Sequence, residues 1–297
     1  MTSALRPPSW KSMNDDDRGI LLLRCADRKG VVAAVSGFIS DHNGNIISAD
    51  EHQDQEGDLY FLRLEWTLAD FDVKLSAFDA AFGPIAREFT MTWRVACSTD
   101  RPRIAILVSK SGHCLADLLY RHQIGELACE IRTVIGNHDD LRKITEFYGI
   151  AYHEIKAAGN KADAERQMLS LLEADDIEVV VLARYMQILS NDFVARYPEA
   201  MINVHHSFLP AFIGAKPYHR SYERGVKLIG ATSHYVTAEL DDGPIIEQDV
   251  VRVSHRDSLE AIIRKGADAE RAVLTRAVRW HVENRIMVYG RKTVVFS

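Results

Sequence analysis

The sequence is poor in the features that mark membrane-spanning and nucleic-acid-binding proteins. Its apolar runs are short, for example Val179–Ala183, whereas a transmembrane helix needs about 20 consecutive apolar residues. It has no basic excess either, because 36 Lys and Arg residues face 42 Asp and Glu residues and give a net charge of -6. Surfaces that bind nucleic acid carry clustered positive charge. We therefore expect neither a membrane nor a nucleic acid as a partner.

Cysteine is scarce, and the N-terminus lacks the pattern of a secretory signal. The four cysteines, Cys25, Cys97, Cys114 and Cys129, are scattered without CxxC spacing, which favours reduced thiols over disulfide bonds. Residues 1–17 carry acids and have no apolar core, so they differ from a secretory signal and are expected to be a short disordered lead. These features predict a cytoplasmic protein.

The length of 297 residues suits two domains, and residues 18–96 are predicted to form the first. An apolar strand at Gly19–Arg24 precedes a helical pattern, for which Asp27 is the expected N-cap and Asn43-Gly44 the expected end. Two strands joined by a polar turn, a second helix and an alternating strand follow. This order is the ferredoxin-like βαββαβ arrangement.

Residues 97–102 break this pattern and are predicted to be a linker, and residues 103–297 are predicted to form the second domain. Strands and helices alternate there, and Ile177–Ala183 is a continuous apolar run of the kind found inside a parallel sheet. A long amphipathic helix at Asp257–Val282 and a terminal hairpin end the chain. The prediction is a largely parallel, Rossmann-like α/β domain, whose ligands gather at the carboxyl ends of the strands.

One segment of the second domain, Met201–Asp249, concentrates groups that can act on a carbonyl carbon. Asn203 and His205 flank Val204, so they project to the same side of an extended chain. The Asn amide can donate to a developing oxyanion and the His can transfer a proton. Asp241 can hold that His as a cation or accept a proton from water. Since no protein nucleophile is evident, water or a substrate amine is expected to attack directly.

Other interpretations of these side chains remain open at this point. Imidazole is a common zinc ligand, and four histidines are available: His205, His206, His219 and His234. No HxxxH or HExxH spacing supports a metal site, however. Ser207 lacks the GxSxG environment of an activated nucleophile, and Asp241-Asp242-Gly243 could be a plain turn. A catalytic site without a metal is the favoured interpretation.

The run Asn203-Val204-His205-His206-Ser207-Phe208-Leu209-Pro210 resembles the NxHxSxLP signature of the folate-dependent formyltransferase family. The resemblance implies that Asn203, His205 and Asp241 are catalytic and that Leu182–Leu189 borders the pterin of a folate. It also implies a set of folate-binding residues, namely Met186, Gln187, Ile188, Leu189, His206, His234, Val236, Asp242 and Gly243. The folate would be a substrate, and neither a metal nor another cofactor is implied.

In the first domain, residues 25–46 (CADRKGVVAAVSGFISDHNGNI) resemble the strand, turn and first helix of the ACT family of small regulatory domains. The resemblance implies a small effector, such as an amino acid, near Gly30, Asn43 and Asn45. The alternative is that Asp27 and Asn43 only begin and end a helix, and that the domain provides a dimerisation surface. We expect a homo-oligomer.

Three further segments resemble the formyltetrahydrofolate deformylase branch of the formyltransferase family: HHSFLPAF, GAKPYHRSYERGVKLIGATSHYV and LDDGPIIEQDV. That branch joins an ACT domain to the catalytic domain in the order predicted here. The resemblance implies hydrolysis of 10-formyltetrahydrofolate to tetrahydrofolate and formate, a reaction of one-carbon and purine metabolism.

Two departures from the transferases of the family support this branch. The ribonucleotide transferases hold a substrate phosphate on a glycine-rich loop, whereas Ser109–Cys114 contains one glycine here. His206 stands where the transferases usually carry proline, and its imidazole could position water or serve in packing. A formyltransferase acting on an unidentified amine and a folate-binding sensor remain as alternatives.

Overall fold

The computed structural model describes residues 17–156, 159–210 and 217–297. The predicted disordered lead lies outside the described residues, except for Asp17. The chain divides into two compact units. The first extends through Asp100 and includes Glu283–Met287 and Phe296–Ser297, and the second comprises Arg101–Val282 and Val288–Val295. The first boundary therefore falls within the predicted linker at 97–102.

The first unit has the predicted βαββαβ order. Its elements are β1 (Arg18–Ala26), α1 (Val31–Asp41), β2 (Ile46–Asp54), β3 (Leu59–Thr67), α2 (Phe78–Glu88) and β4 (Thr92–Cys97). The strands form one antiparallel sheet in the order β2-β3-β1-β4. The ferredoxin-like prediction is confirmed.

Aromatic side chains fill the core between this sheet and its two helices. Phe38 of α1 contacts Phe78 and Phe82 of α2 edge to face, with ring centroids 5.5 and 5.3 Å apart. Trp66 of β3 is fully buried and stacks on Phe78 at 5.5 Å. Burying each such ring contributes roughly 1.5–3 kcal/mol, so these aromatic contacts join the helices to the sheet.

The start of α1 differs from the prediction. Gly30 precedes the first helical residue and has a φ of 98°, a left-handed conformation that glycine adopts without a steric penalty. Asp27, the predicted N-cap, instead accepts a hydrogen bond from the Gln53 side chain of β2. The predicted end of the helix is correct, because Asn43 is left-handed (φ 59°) and the Gly44 amide donates to the Ile39 carbonyl at 2.8 Å.

The rest of the chain alternates strands and helices. The elements are β5 (Arg103–Val108), α3 (His113–Gln123), β6 (Glu130–Gly136), α4 (Arg142–Phe147), β7 (Ala151–Glu154), α5 (Lys161–Ala174), β8 (Val179–Ala183), α6 (Asn191–Val194), β9 (Met201–His205), α7 (Pro217–Arg224), β10 (Leu228–Tyr235), β11 (Ile245–Arg252), α8 (Leu259–Val282), β12 (Ile286–Tyr289) and β13 (Lys292–Val295). Among the described residues, no helix is both long and apolar enough to span a bilayer.

Seven of these strands form one sheet in the order β11-β10-β9-β8-β5-β6-β7. The strands from β9 to β7 are parallel, whereas β10 runs antiparallel to β9 and β11 antiparallel to β10. All five residues of β8 are buried, as expected for a central parallel strand covered on both faces. The prediction of a largely parallel α/β domain is confirmed.

The C-terminal end of the chain departs from the predicted range of 103–297 for the second domain, because Glu283–Met287 belongs to the first unit. Arg63 of β3 explains the assignment. Its guanidinium is 2% exposed and donates to the carbonyls of Asn284 (2.8 Å) and Glu283 (3.2 Å). A buried cation needs such acceptors, and no local sequence pattern predicts which carbonyls supply them.

Candidate active site

The predicted catalytic residues lie where β9 pairs with β10. Asn203 faces His234 across the two strands, and His205 faces Thr232. Residues directly opposite each other in an antiparallel pair hold their side chains close together. Because His205 is the last residue of β9, the group lies at the carboxyl edge of the parallel strands, where ligands of open α/β sheets bind.

Asp241, in the loop after β10, completes this group. Its Oδ2 lies 3.2 Å from His205 Nδ1, and its Oδ1 lies 3.7 Å from His234 Nε2. Asn203 Nδ2 donates to His234 Nε2 at 3.2 Å. His234 Nδ1 donates to the Tyr235 carbonyl at 2.8 Å, which directs Nε2 towards the other two side chains. The structure therefore brings the three predicted catalytic residues together, with His234 between Asn203 and Asp241.

The environment of Asp241 favours the carboxylate. Burial alone would raise the pKa of Asp241, but its contacts with His205 and His234 outweigh burial and hold the pKa well below its usual range. An ionised Asp at Nδ1 of His205 stabilises the imidazolium form and orients the ring. The other nitrogen, His205 Nε2, is buried and has no hydrogen-bond partner within residues 17–156, 159–210 and 217–297. An unpartnered buried nitrogen of this kind is suited to a reacting ligand atom.

His206, the residue after His205, is held in its neutral form. Burial, the positive charge of Arg184 and the adjacent His205 lower the pKa of His206 to about 4, and the carboxylates of Glu270 and Asp241 oppose the shift. The His205 and His206 ring centroids are 5.1 Å apart. The site therefore places a neutral His206 ring beside the His205 ring.

The low pKa of His206 predicts a dependence of stability on pH. Its pKa is about 4 in the folded protein and 6.5 in a model peptide, so the unfolded chain binds more protons between these values and stability rises with pH across this window. We expect His206→Gln to reduce the gain in Tm between pH 5 and pH 7.5, measured by thermal melting. His255→Gln alters an exposed histidine and should leave the gain unchanged. An undiminished gain in the His206 variant would refute this assignment.

The predicted pterin-binding segment follows the carboxyl end of β8. Met186 and Ile188 expose 57% and 62% of their surface, although both are apolar. The Met186 amide donates to Ser109 Oγ at 2.9 Å, which attaches this segment to the loop after β5. Leu189 and Val236 both pack against the same cluster of buried apolar side chains in the second unit. Exposed apolar side chains at this edge suit a flat pterin ring, and Gln187 lies exposed between them.

Two other predicted folate-binding residues have structural roles in the loop that carries Asp241. The Asp242 carboxylate pairs with Arg291. A Cβ on Gly243 would lie 1.8 Å from the Tyr235 carbonyl oxygen, so the loop approaches β10 too closely for any side chain at this position. The ion pair joins the loop to the turn between β12 and β13, and the close approach at Gly243 places the loop against β10. Binding of folate by either residue stays a prediction.

Gly243→Ala should therefore damage both stability and catalysis. The added Cβ must displace the backbone two residues from Asp241, and a forced backbone shift of this kind typically costs about 1–3 kcal/mol. We expect a lower Tm and at least a tenfold lower kcat, measured by thermal melting and formate release. Gly37→Ala is the control, because a Cβ there meets no atom within 4 Å. A Gly243 variant with normal kcat would show that the loop tolerates the shift.

The residues predicted to bind an effector do not converge within one chain. Gly30 and Asn43 lie at opposite ends of α1, whose 11 residues extend about 16 Å at 1.5 Å per residue. Asn43 donates to Asp72 Oδ2 at 3.4 Å, and the Asn45 carbonyl accepts from the Thr67 amide at 2.9 Å. These contacts support the helix-ending role, while effector binding stays a prediction.

A second polar cluster lies beside this site, and the sequence did not indicate it. Its members are His113, Arg184, Tyr218 and Glu270. They come from the start of α3, the residue after β8, the start of α7 and the middle of α8. Because each stands in a different element, no spacing in the sequence relates them.

Comparison with known proteins agrees with this architecture. A family model of formyl transferases matches residues 102–278, and a family model of the ACT domain matches residues 19–73. A formyltetrahydrofolate deformylase from Bacillus subtilis is 51% identical over 285 residues, which are 95% of each chain. The chain belongs to the formyltetrahydrofolate deformylase family. A formyltetrahydrofolate deformylase structure from Pseudomonas syringae pv. tomato matches with a TM-score of 0.92 and 48% identity, covering 95% of each chain.

The deformylase family shares its second unit with formyl-transferring enzymes. A glycinamide ribonucleotide transformylase structure from Symbiobacterium toebii matches with a TM-score of 0.63 and 28% identity. That match covers 66% of this chain and 95% of the transformylase. The ACT region at residues 19–73 lies outside the segment 102–278 that matches formyl transferases. The deformylase architecture therefore combines an ACT domain with a formyl transferase domain that other proteins contain without it.

Proposed function

We propose that this chain hydrolyses 10-formyltetrahydrofolate to tetrahydrofolate and formate, and that Asn203, His205 and Asp241 are its catalytic residues. The observation that carries the proposal is the contact of Asp241 with His205 beside Asn203, at the carboxyl edge of the sheet, in a member of the deformylase family. The residues suit attack on a formyl carbon, because they combine an amide donor, a proton carrier and a fixed negative charge.

In the proposed reaction, the formyl oxygen lies between the Asn203 amide and His205 Nε2. A water oxygen attacks the formyl carbon, and Asp241 accepts a proton from that water. Asn203 and protonated His205 stabilise the oxyanion of the tetrahedral intermediate. The carbon–nitrogen bond then breaks, and the departing folate nitrogen receives a proton from His205. Formic acid and tetrahydrofolate leave, and formic acid loses its proton to solvent as formate. Asp241 returns the proton it took from water to His205, which restores both side chains.

Folate binding is assigned to the loop after β8 and to the loop that carries Asp241. The exposed apolar side chains of Met186 and Ile188 would cover the faces of the pterin, while Gln187 and the backbone of Leu189 would meet its polar edge. Val236 and His234 would bound the opposite side. Asp242 and Gly243 complete the predicted set, through the shape of their loop.

Formate release from 10-formyltetrahydrofolate by the purified protein, with no amine added, tests this function. Stoichiometric formate and tetrahydrofolate would support the deformylase. Two other results would refute it. Turnover that begins when an amine acceptor is supplied would identify a formyltransferase, and folate binding without turnover under either condition would identify a sensor.

The ACT unit suggests regulation by a small molecule, and we propose an amino acid bound between protomers of a homo-oligomer near Gly30, Asn43 and Asn45. Light scattering would establish the oligomer, and titration with each amino acid would follow rate and Tm. No response to any of them would refute the proposal.

All four cysteines are buried free thiols, which fits the reducing cytoplasm.

A further inference from the structure

A buried carboxylate organises the cluster beside the catalytic residues. The Glu270 side chain of α8 is 2% exposed. Its Oε1 accepts a hydrogen bond from the Tyr218 hydroxyl at 2.5 Å, and its Oε2 lies 2.8 Å from His113 Nε2 and 3.2 Å from Arg184 Nε. Burying a carboxylate is costly unless it is paired and hydrogen-bonded. Three separate elements supply the partners that meet this cost.

The charges of the cluster are well defined. Burial would raise the pKa of Glu270, but the His113 hydrogen bond, the Arg184 charge and the Tyr218 hydroxyl outweigh burial and lower it. Burial and the Glu270 carboxylate raise the pKa of Tyr218 far above its usual range. The cluster therefore holds a carboxylate and a neutral phenol that donates to it.

Two ring contacts connect this cluster to the catalytic histidine. The Tyr218 ring meets the His206 ring edge to face, with centroids 6.0 Å apart. The His206 ring in turn lies 5.1 Å from the His205 ring. Arg184, which pairs with Glu270, also helps to keep His206 neutral. The cluster thus acts on His206 both by contact and by charge.

The position of the Tyr218 ring is fixed at two points of α8. Its hydroxyl is bound by Glu270, and its ring lies over Gly266, where a Cβ would come within 2.2 Å of a ring carbon. Residues four apart lie on the same face of a helix. Any side chain at Gly266 would therefore displace the Tyr218 ring from the place where it meets His206.

A metal site is a weaker interpretation of these residues. Ligand atoms of His113, Cys114 and Glu270 lie within 4.8 Å of one another. Both oxygens of Glu270 already accept hydrogen bonds, however, and Arg184 places a positive charge where a cation would have to bind. Burial also raises the pKa of the Cys114 thiol well above its usual range, which disfavours the thiolate that a metal requires.

We infer that the cluster of His113, Arg184, Tyr218 and Glu270 positions the neutral His206 ring so that it binds the attacking water and fills the space that an amine acceptor would need. The inference rests on the proposed function, because it concerns the choice between water and an amine at the same site. His206 accepts a hydrogen bond from the water, whose other proton goes to Asp241 as its oxygen attacks the formyl carbon. The cluster residues touch neither substrate nor water and are positioning residues.

Two variants weaken the cluster without removing its rings. Tyr218→Phe keeps the aromatic ring but removes the hydroxyl that donates to Glu270. Gly266→Ala keeps that hydroxyl but displaces the Tyr218 ring. Asp117→Asn is the matched control. It removes the charge of a carboxylate that accepts from Thr275 at 2.6 Å and pairs with Arg121 at 3.0 Å. It therefore weakens another polar contact between α3 and α8, about one helical turn from the cluster.

The experiment supplies each protein with 10-formyltetrahydrofolate, first alone and then with hydroxylamine as a small amine acceptor. Formate and formohydroxamate are measured together with kcat, KM and Tm. We expect both cluster variants to lower kcat about tenfold or more, in the range of lost positioning effects, with KM within about threefold. We also expect the hydroxamate share of the products to rise at least threefold. Asp117→Asn should lower Tm and leave kcat and the product ratio unchanged.

The outcomes separate the two proposals. No formate from the wild type would refute the deformylase itself. Formate from the wild type, with an unchanged product ratio in both cluster variants, would refute this inference alone. An equal rise in hydroxamate in Asp117→Asn would also refute it, because a general loosening of α3 and α8 would then be the cause.

Discussion

Replacing Asp241 by asparagine is expected to lower kcat by about 10²- to 10⁴-fold, the range of general acid–base catalysis, while KM for 10-formyltetrahydrofolate changes little. The asparagine fits the same space but cannot accept the proton of water, and it supplies no charge to stabilise protonated His205 at 3.2 Å. These effects arise as charge develops in the transition state, so they act on kcat and not on folate binding. Steady-state formate release measures both constants.

Asp249→Asn serves as the control for this prediction. Asp249 is a partly exposed carboxylate of β11 that pairs with Arg276 at 2.5 Å. Its replacement changes the net charge by the same amount as Asp241→Asn. We expect kcat within about twofold of wild type, since exposed ion pairs contribute little. If Asp241→Asn also retained near-normal turnover, another group would have to accept the proton of the attacking water.

Asn203→Ala is expected to lower kcat by about 10²- to 10³-fold, the loss that follows removal of one oxyanion donor. The substitution also removes the hydrogen bond to His234 at 3.2 Å, so the His234 ring loses a partner that holds it near Asp241. Folate affinity, measured by equilibrium titration, should remain near the wild-type value. The double variant with Asp241→Asn should lose less than the product of the two single losses, because the residues act as one unit.

Asn160→Ala provides the comparison for an asparagine with a structural role and no part in catalysis. Asn160 is the N-cap of α5, where its side chain accepts from the Asp163 amide at 3.2 Å. Loss of such a cap costs about 1 kcal/mol of stability, and kcat should not change. If Asn203→Ala lowered only Tm, as Asn160→Ala is expected to do, the amide of Asn203 would have no part in oxyanion stabilisation.

The strand β9 and its two polar side chains could be predicted from the sequence because their signals are local. Asn203 and His205 alternate with Val204, and this spacing alone places both side chains on one side of β9. The partnership with His234 depends on the register between β9 and β10, which no local pattern determines. The chemistry of its side chain makes Asp241 a candidate, but its contact with His205 spans 36 residues of the chain, and no local pattern predicts that contact.

The edge strands of the seven-stranded sheet and the burial of Glu270 give weak signals in the sequence. The strand β11 lies at one edge of the sheet, and its polar run Glu247-Gln248-Asp249 stands between two apolar pairs. It therefore lacks the two-residue period of a strand with one buried face. The short strand β7 lies at the opposite edge. Glu270 is one of 42 acidic residues, and its place on a long amphipathic helix favoured solvent exposure. Its burial follows from partners on three other elements, which only the folded chain brings together.

The path of the backbone between the two units has a consequence for how the chain can be divided. The first unit contains residues through Asp100 and also Glu283–Met287 and Phe296–Ser297, while the formyl transferase match ends at residue 278. Segments of the first unit therefore stand both before and after residues 101–282 in the sequence. A single cut after Asp100 would not release two whole units, because it would leave Arg63 without the carbonyls of Glu283 and Asn284. Glu283–Met287 and Phe296–Ser297 complete the first unit, so loss of the C-terminal tail would destabilise the N-terminal unit as well.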